Sequence, residues 1–526
     1  MKKKKVLALV LAVATLLGGC GKAPAETAGN TAAEKESGAA STTAAESTGS
    51  EAAAGEEGGE PMELECMVDL STDDKVYENS LLIKEIEKEL NVKIKLIPEP
   101  TGTADDIRKA MNLQIASGDF PDFIPNVKFP DYYAYAQQGL LAEIPVDMIK
   151  SEAPTIASWI EDNLYGESSW DYYAIDGKNY IVPSIWTIGP AFNTMVIRQD
   201  MLEEAGFTVD DIHSIDDLGP VYEKVKAAHP EMVMLAGRKG ETPAVASIWC
   251  DNLSDGFGVI MPEDKDGKVV NYYETEQFKH NAQVIYEYAQ KGYISKDCAT
   301  MNDGKKPQVK AGTAFSYFTP TKPGVDLQDS LDTGYEMVYA PLTDTFRATS
   351  QMAWIGWGIG KNCKYPERVM QVLDYMYSSP ELMNLFNWGI EGKHYVFADK
   401  EKGIITYPEG VNVQNKTYGL NMGYEMPNQT IAYVWEGNDP SIWDEYREFN
   451  SAEPLISTGF IFDNSKVLTE ISALTNVRDK YIDAIGSGAV DPETAIPEMN
   501  EALKKAGLDK VIQEKQAQLD AFIASK

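Results

Sequence analysis

The 526-residue chain holds only four histidines, and its five cysteines stand far apart with no CxxC and no Cys/His pairing. Structural zinc needs four such ligands, usually announced by close spacing, so no metal or cofactor follows from the sequence. Positive charge is also scarce: 47 Lys and Arg stand against 81 Asp and Glu, a formal net charge of −34. So acidic a chain is a poor partner for nucleic acid or an anionic lipid surface, and suits neutral or cationic solutes. Past the first twenty residues no run is long and apolar enough to span a bilayer. A GxSxG nucleophile elbow is missing, no acidic residue sits in a motif that marks a catalytic acid, and nothing in the body is repetitive.

The start of the chain carries a compartment signal. Lys2 to Lys5 form a cationic segment, and Val6 to Leu17 a short apolar one, too short to cross a bilayer as a helix. Leu17-Gly18-Gly19-Cys20 follows. Small residues before a cysteine admit a lipoprotein signal peptidase, and the thiol takes the lipid. Residues 1–19 are therefore expected to be a signal peptide, and Cys20 the lipidated residue. Residues 21–60 contain no aromatic residue and no aliphatic one larger than Ala. Such a segment cannot bury enough apolar area to offset its conformational entropy, which predicts a disordered tether with a reach of roughly 35 Å.

The rest is globular in composition and too large for one core, so two or more lobes are expected. Met62, Leu64, Cys66 and Val68 alternate as a strand, and Leu81 to Leu90 recur at helical spacing until Asn91. Val92, Ile94 and Leu96 alternate again. Strand, helix, strand with crossover-length connections predicts a parallel sheet. Further helices are predicted over 107–116, 132–141, 278–293 and 366–377, with strands at 122–124, 311–318 and 352–360. The tail reads as helices separated by Asp491-Pro492, an N-cap and a first-turn proline, and by Gly507. The fold class is α/β with a helical finish.

Asp264-Lys265-Asp266-Gly267 has a faint look of a calcium loop, but Val269, Val270 and Asn271 follow where an EF-hand needs spaced oxygen ligands. It reads as a β-turn. Cys66, Cys250, Cys298 and Cys363 read mostly as buried free thiols.

A family resemblance emerges from motifs in order. Gly118-Asp119-Phe120-Pro121-Asp122 with Gln138 to Ile144 resembles the first lobe of maltose-binding-protein-type solute receptors. Asp176 to Pro183 is similar to their crossing into the second lobe, and Ile197 to Gly206, Ala311 to Phe315 and Pro366 to Val369 are also similar. Asn387 to Tyr395, Pro408 to Val411, Gly459 to Asp463, Thr475 to Val477 and Ala506 to Asp520 resemble a subfamily of Gram-positive sugar-type receptors. That subfamily carries a C-terminal domain of unknown function. The resemblance runs from about residue 61 onward.

It implies a two-lobe, periplasmic-binding-protein-like fold with a hinge and an interlobe cleft. Residues 61–183 with about 335–385 would form one lobe, and 184–334 with about 386–526 the other. It further implies a monomeric, non-enzymatic receptor that captures an oligosaccharide and delivers it to an ABC permease at the outer face of the membrane. Sugars present flat C–H faces and rims of hydroxyls, which aromatic platforms and planar polar groups suit. On the implied topology the candidate ligand residues are Asp69 at the end of the first strand, Asn126, Trp186 at the first crossing, Trp249, Tyr317 and Trp354. Two other readings remain open. The acidity fits a receptor for peptides or polyamines, and a secreted glycosidase would need two carboxylates facing each other across a cleft.

Overall fold

The computed structural model describes residues 61–68, 81–98, 113, 117, 120–128, 131–164, 166–184, 193–246, 249–320, 322–352, 355–412, 415–418 and 428–526. The first sheet combines β1 (Met62–Val68), β2 (Val92–Pro98), β3 (Phe123–Lys128), β4 (Ile181–Pro183) and β9 (Ile355–Ile359) in the order β2-β1-β3-β9-β4. The predicted strand, helix and strand are present, with β1 and β2 parallel and Met62 opposite Val92. Period-2 patterning fixes that register. Leu64, Cys66, Val92 and Ile94 are buried on one face. On the other, Glu65 meets Lys95 at 2.6 Å and Glu63 meets Lys93 at 3.5 Å. These exposed pairs add little stability each, but a one-residue slip would bury all four charges. Asn91, at φ 52, turns the chain out of the helix Leu81–Leu90 in the left-handed conformation that Asn tolerates.

Helices Pro154–Asn163, Pro366–Ser378 and Pro380–Trp388 cover this sheet, each with proline in the first turn. Asp374 ties two of them together. Its carboxylate accepts from the backbone N–H groups of Thr155 and Ile156 at 2.9 and 3.1 Å, satisfying donors that the helix leaves free. Of the helix expected over 107–116, Leu113 alone is among the described residues, and it is helical.

The second sheet contains β5 (Asn193–Arg198), β6 (Val233–Ala236), β7 (Ala314–Pro320) and β8 (Met337–Pro341), ordered β6-β7-β5-β8. Here the structure differs from the expected boundaries. The sequence resemblance puts the return to the first sheet at about 335, yet β8 pairs antiparallel with β5 from Thr194↔Pro341 to Arg198↔Met337. The chain returns only after residue 341, entering the first sheet as β9. A tight turn at Gly334, at φ 81, sends β8 straight back beside its own sheet.

The predicted helical tail is present as Leu468–Gly486, Pro492–Ala506 and Leu508–Ser525. Asp491 caps the second, its carboxylate accepting from Glu493 N at 2.9 Å, and Gly507, at φ 107, closes it. These helices share a core with Phe257, Phe278, Phe460 and Phe462. Lys515 is wholly buried in it, its ammonium 2.6 Å from Asp255 and 3.1 Å from the Gly258 carbonyl. Burial pulls the Lys515 pKa down, and the Asp255 carboxylate opposes that shift.

A small third sheet joins β10 (Val396–Asp399), β11 (Ile404–Thr406) and β12 (Val434–Trp435). The crossing between β8 and β9 is strapped to residues 453–459. Arg347 N donates to the Glu453 carbonyl at 3.1 Å, and Leu455 N donates to the Arg347 carbonyl at 2.9 Å. Gly459 N donates to Thr349 Oγ1 at 2.7 Å. Behind them the Ser457 hydroxyl donates to buried Asp251 at 2.6 Å. Asp264 Oδ1 accepts from the backbone N–H groups of Asp266, Gly267 and Lys268, so this segment is the expected turn. Cys66, Cys250, Cys298 and Cys363 are free thiols, Cys66 and Cys298 buried and the other two half-buried.

Candidate functional site

An aromatic cavity lies where the segment after β7 meets the small third sheet. Its interior has a volume of about 140 Å³, and it opens to solvent. One wall starts at the helix Pro380–Trp388. Ser379 caps it, accepting from Leu382 N at 3.2 Å, and Gly389 ends it at φ 81. A Cβ at Gly389 would sit 2.3 Å from His394 Nδ1 and 2.6 Å from Tyr418, so only glycine admits the reversal that follows. His394, 4% exposed, accepts from Ile390 N through Nδ1 at 2.9 Å, which places its proton on Nε2. That neutral ring props the loop behind Trp388.

The opposite side is built by β12 and the turn after it. Buried Asn384 accepts from Tyr433 N at 2.6 Å, which docks β12 against the helix. Trp435 then lies 5.4 Å from Trp388 at 45°, and Tyr407 meets Trp435 edge-on at 4.5 Å. Trp443 is held by its Nε1 on the Ala432 carbonyl at 3.0 Å and packs beside Tyr446. Tilted rings of this kind form a wedge rather than a closed stack, leaving faces for a guest.

Charge enters from the second lobe. Gly324, at φ 72, lets the loop pass against Asn438 and Ile442, where a Cβ would come within 2.8 Å of both. Just before it stands Lys322. Burial lowers its pKa to about 8, aided by the nearby Lys306 cation and opposed by Asp329 and Asp332. Burial also works against Lys306, but contact with Asp329 outweighs it and raises that pKa. Asp332, 3.2 Å from Lys306, is the single carboxylate among the cavity's described lining residues.

None of the sequence-derived candidates is among the cavity's described lining residues. Asp69, Trp186 and Trp354 lie outside the described residues, as does the side chain of Asn126, whose backbone belongs to β3. Trp249 is half-buried beside the hinge strap, its Nε1 donating to the Asp344 carbonyl at 3.1 Å and its ring 5.9 Å from Phe346. Tyr317 is 1% exposed, and its hydroxyl donates to Asp329. In this conformation it offers no face to a solute and sits behind the Lys306–Asp329–Asp332 cluster. Sequence reasoning did not select Asn387, Trp388, Tyr407, Trp435 or Trp443 as ligand residues. Asn387 and Trp388 stood in a recognised motif, and the density of aromatic residues between 388 and 446 was the available signal.

Two sheets joined by crossings, with an aromatic cavity beside them, define a two-lobe solute receptor. The chain belongs to the bacterial extracellular solute-binding protein family, whose model matches residues 82–390. Residues 456–524 match a domain of unknown function, in line with the resemblance read from the tail. A carbohydrate ABC transporter substrate-binding protein of Streptococcus pneumoniae serotype 4 is 28% identical over 451 residues, 82% of this chain and 87% of that one. The crystal structure of the N-glycan transport solute-binding protein NgtS from Streptococcus pneumoniae superposes with a TM-score of 0.76 at 25% identity. That match covers 88% of this chain and 99% of NgtS. The same protein in complex with Man5GlcNAc gives a TM-score of 0.69 at 25% identity, covering 89% and 99%.

Proposed function

We propose that this protein is the oligosaccharide receptor of an ABC importer, lipid-anchored through Cys20 at the outer face of the membrane. The aromatic cavity carries the reading. Its walls are tilted tryptophan and tyrosine rings with one carboxylate among the described lining residues, itself neutralised by Lys306. Polyamine capture calls for carboxylates at both ends of a site, and glycosidic hydrolysis for two facing ones. Sugar C–H faces against rings need neither. The named specificities of the pneumococcal relatives, a carbohydrate and N-glycans, lend support. Their non-enzymatic role as substrate-binding proteins supports capture without turnover.

A thermal-shift screen over oligosaccharides, with polyamines, peptides and amino acids as controls, tests this. Glycans should raise the melting temperature without being cleaved, and Trp388→Ala should weaken binding at least about tenfold, as loss of a large aromatic anchor does. Stabilisation by a polyamine and by no glycan, or release of sugar products, overturns it. The anchor rests on Leu17-Gly18-Gly19-Cys20 and the polar tether behind it. Cys20→Ser should move the protein from the membrane fraction to the medium, and retention in the membrane would remove the anchor.

A further inference from the structure

We infer that the Asn387–Trp388 corner of the cavity is a subsite for a sugar ring bearing an sp² oxygen, the carbonyl of an acetamido group or the carboxylate of a uronic acid. The inference rests on the oligosaccharide reading and narrows it. Asn387 is 1% exposed and lines the cavity, and its Nδ2 has no partner among the described residues. Trp388 Nε1, on the adjacent residue, is equally shielded and also lacks one. Two neighbouring buried N–H donors without acceptors are unusual in a native fold and mark a place where something else accepts.

The rest of the wall favours the same chemistry. Lys322 and Lys416 add donors, while Asp332 is already engaged by Lys306 at 3.2 Å. A sugar hydroxyl can accept from an N–H, but it brings an O–H that needs an acceptor in turn. A carbonyl or carboxylate oxygen accepts two bonds without carrying a proton itself, and the N–H of an acetamido group points away from its carbonyl, so neither sets a donor against Asn387 and Trp388. The adjoining rings of Trp388, Trp435 and Tyr407 offer apolar surface both to the sugar face and to an acetamido methyl. A carboxylate would instead draw on the ammonium groups of Lys322 and Lys416.

Calorimetry on the full chain with chitotriose, cellotriose and a cellotriose oxidised to a uronate separates these possibilities. Chitotriose or the uronate should bind at least about tenfold more tightly than cellotriose, because a site with unpaired donors rejects ligands that leave them unpaired. A preference for the uronate that fades with salt identifies a carboxylate, and a salt-insensitive preference for chitotriose identifies the acetamido group. Asn387→Asp, nearly isosteric but with an acceptor in place of the donor, should cut the preference to about twofold. Trp388→Phe, which keeps the ring and removes the second N–H, should reduce it without unfolding the chain. Cellotriose binding as tightly as both others, or a preference intact in both variants, overturns the inference and leaves the receptor standing. If no oligosaccharide of any kind binds, the receptor reading falls and takes this subsite with it.

Discussion

Lys322 carries the most readable electrostatics of any single residue at the cavity. An unfolded lysine titrates near 10.5, whereas in the fold burial and the Lys306 charge bring Lys322 to about 8. Between those values the unfolded chain binds more protons, so stability rises with pH. Below pH 8 the full cost of a buried ammonium is present, and it disappears as pH climbs toward 10.5. Lys322→Met should remove that slope. Denaturant melts at pH 8 and pH 10 should show the wild type gaining about 2 kcal/mol relative to the variant. Equal pH responses would mean that Lys322 is better solvated than its surroundings indicate. Residue-scale legibility was uneven. The turn at Asp264 and the cap at Asp491 could be read because their hydrogen bonds are local. Tyr317 and Trp249 could not be placed, since their partners Asp329 and Asp344 are chosen by tertiary packing.

Elements with strong local patterning stand where the sequence puts them. β1, β2 and the tail helices have apolar positions at one clear period, bounded by Asn91, Pro492 and Gly507. β8 shows the limit: a five-residue strand reads alike in either sheet, and only its antiparallel pairing with β5 assigns it. The helix Leu508–Ser525 hides another feature that periodicity misses, the wholly buried Lys515 against Asp255. Truncating one member of such a pair strands the other charge in the core. Lys515→Met should therefore destabilise the protein by about 3–5 kcal/mol in urea unfolding, far more than the loss of an exposed pair such as Lys505–Glu501. A loss below about 1 kcal/mol would show that water reaches Asp255.

At the scale of the whole molecule, the order of motifs conveyed two lobes and a helical tail, and the family match agrees. What remained illegible was how the tail meets the hinge. The residues that lead into it, 453–459, hydrogen-bond across the β8–β9 crossing through Arg347 and Thr349, and Ser457 reaches back to Asp251. Neither separation, more than a hundred residues for Thr349 and Gly459 or about two hundred for Ser457 and Asp251, leaves a trace in local pattern.

That strap has a consequence for anyone who would treat the C-terminal segment as a detachable module. A family boundary drawn at residue 456 cuts through the strap itself. A shortened receptor ending there would lose the hydroxyl of Thr458 from the Arg347 carbonyl and the amide of Gly459 from Thr349. Grafting the segment onto another receptor would carry away half of a joint whose other half stays behind. In this chain the tail and the hinge are one mechanical part, and a biosensor or chimera built from it has to keep them together.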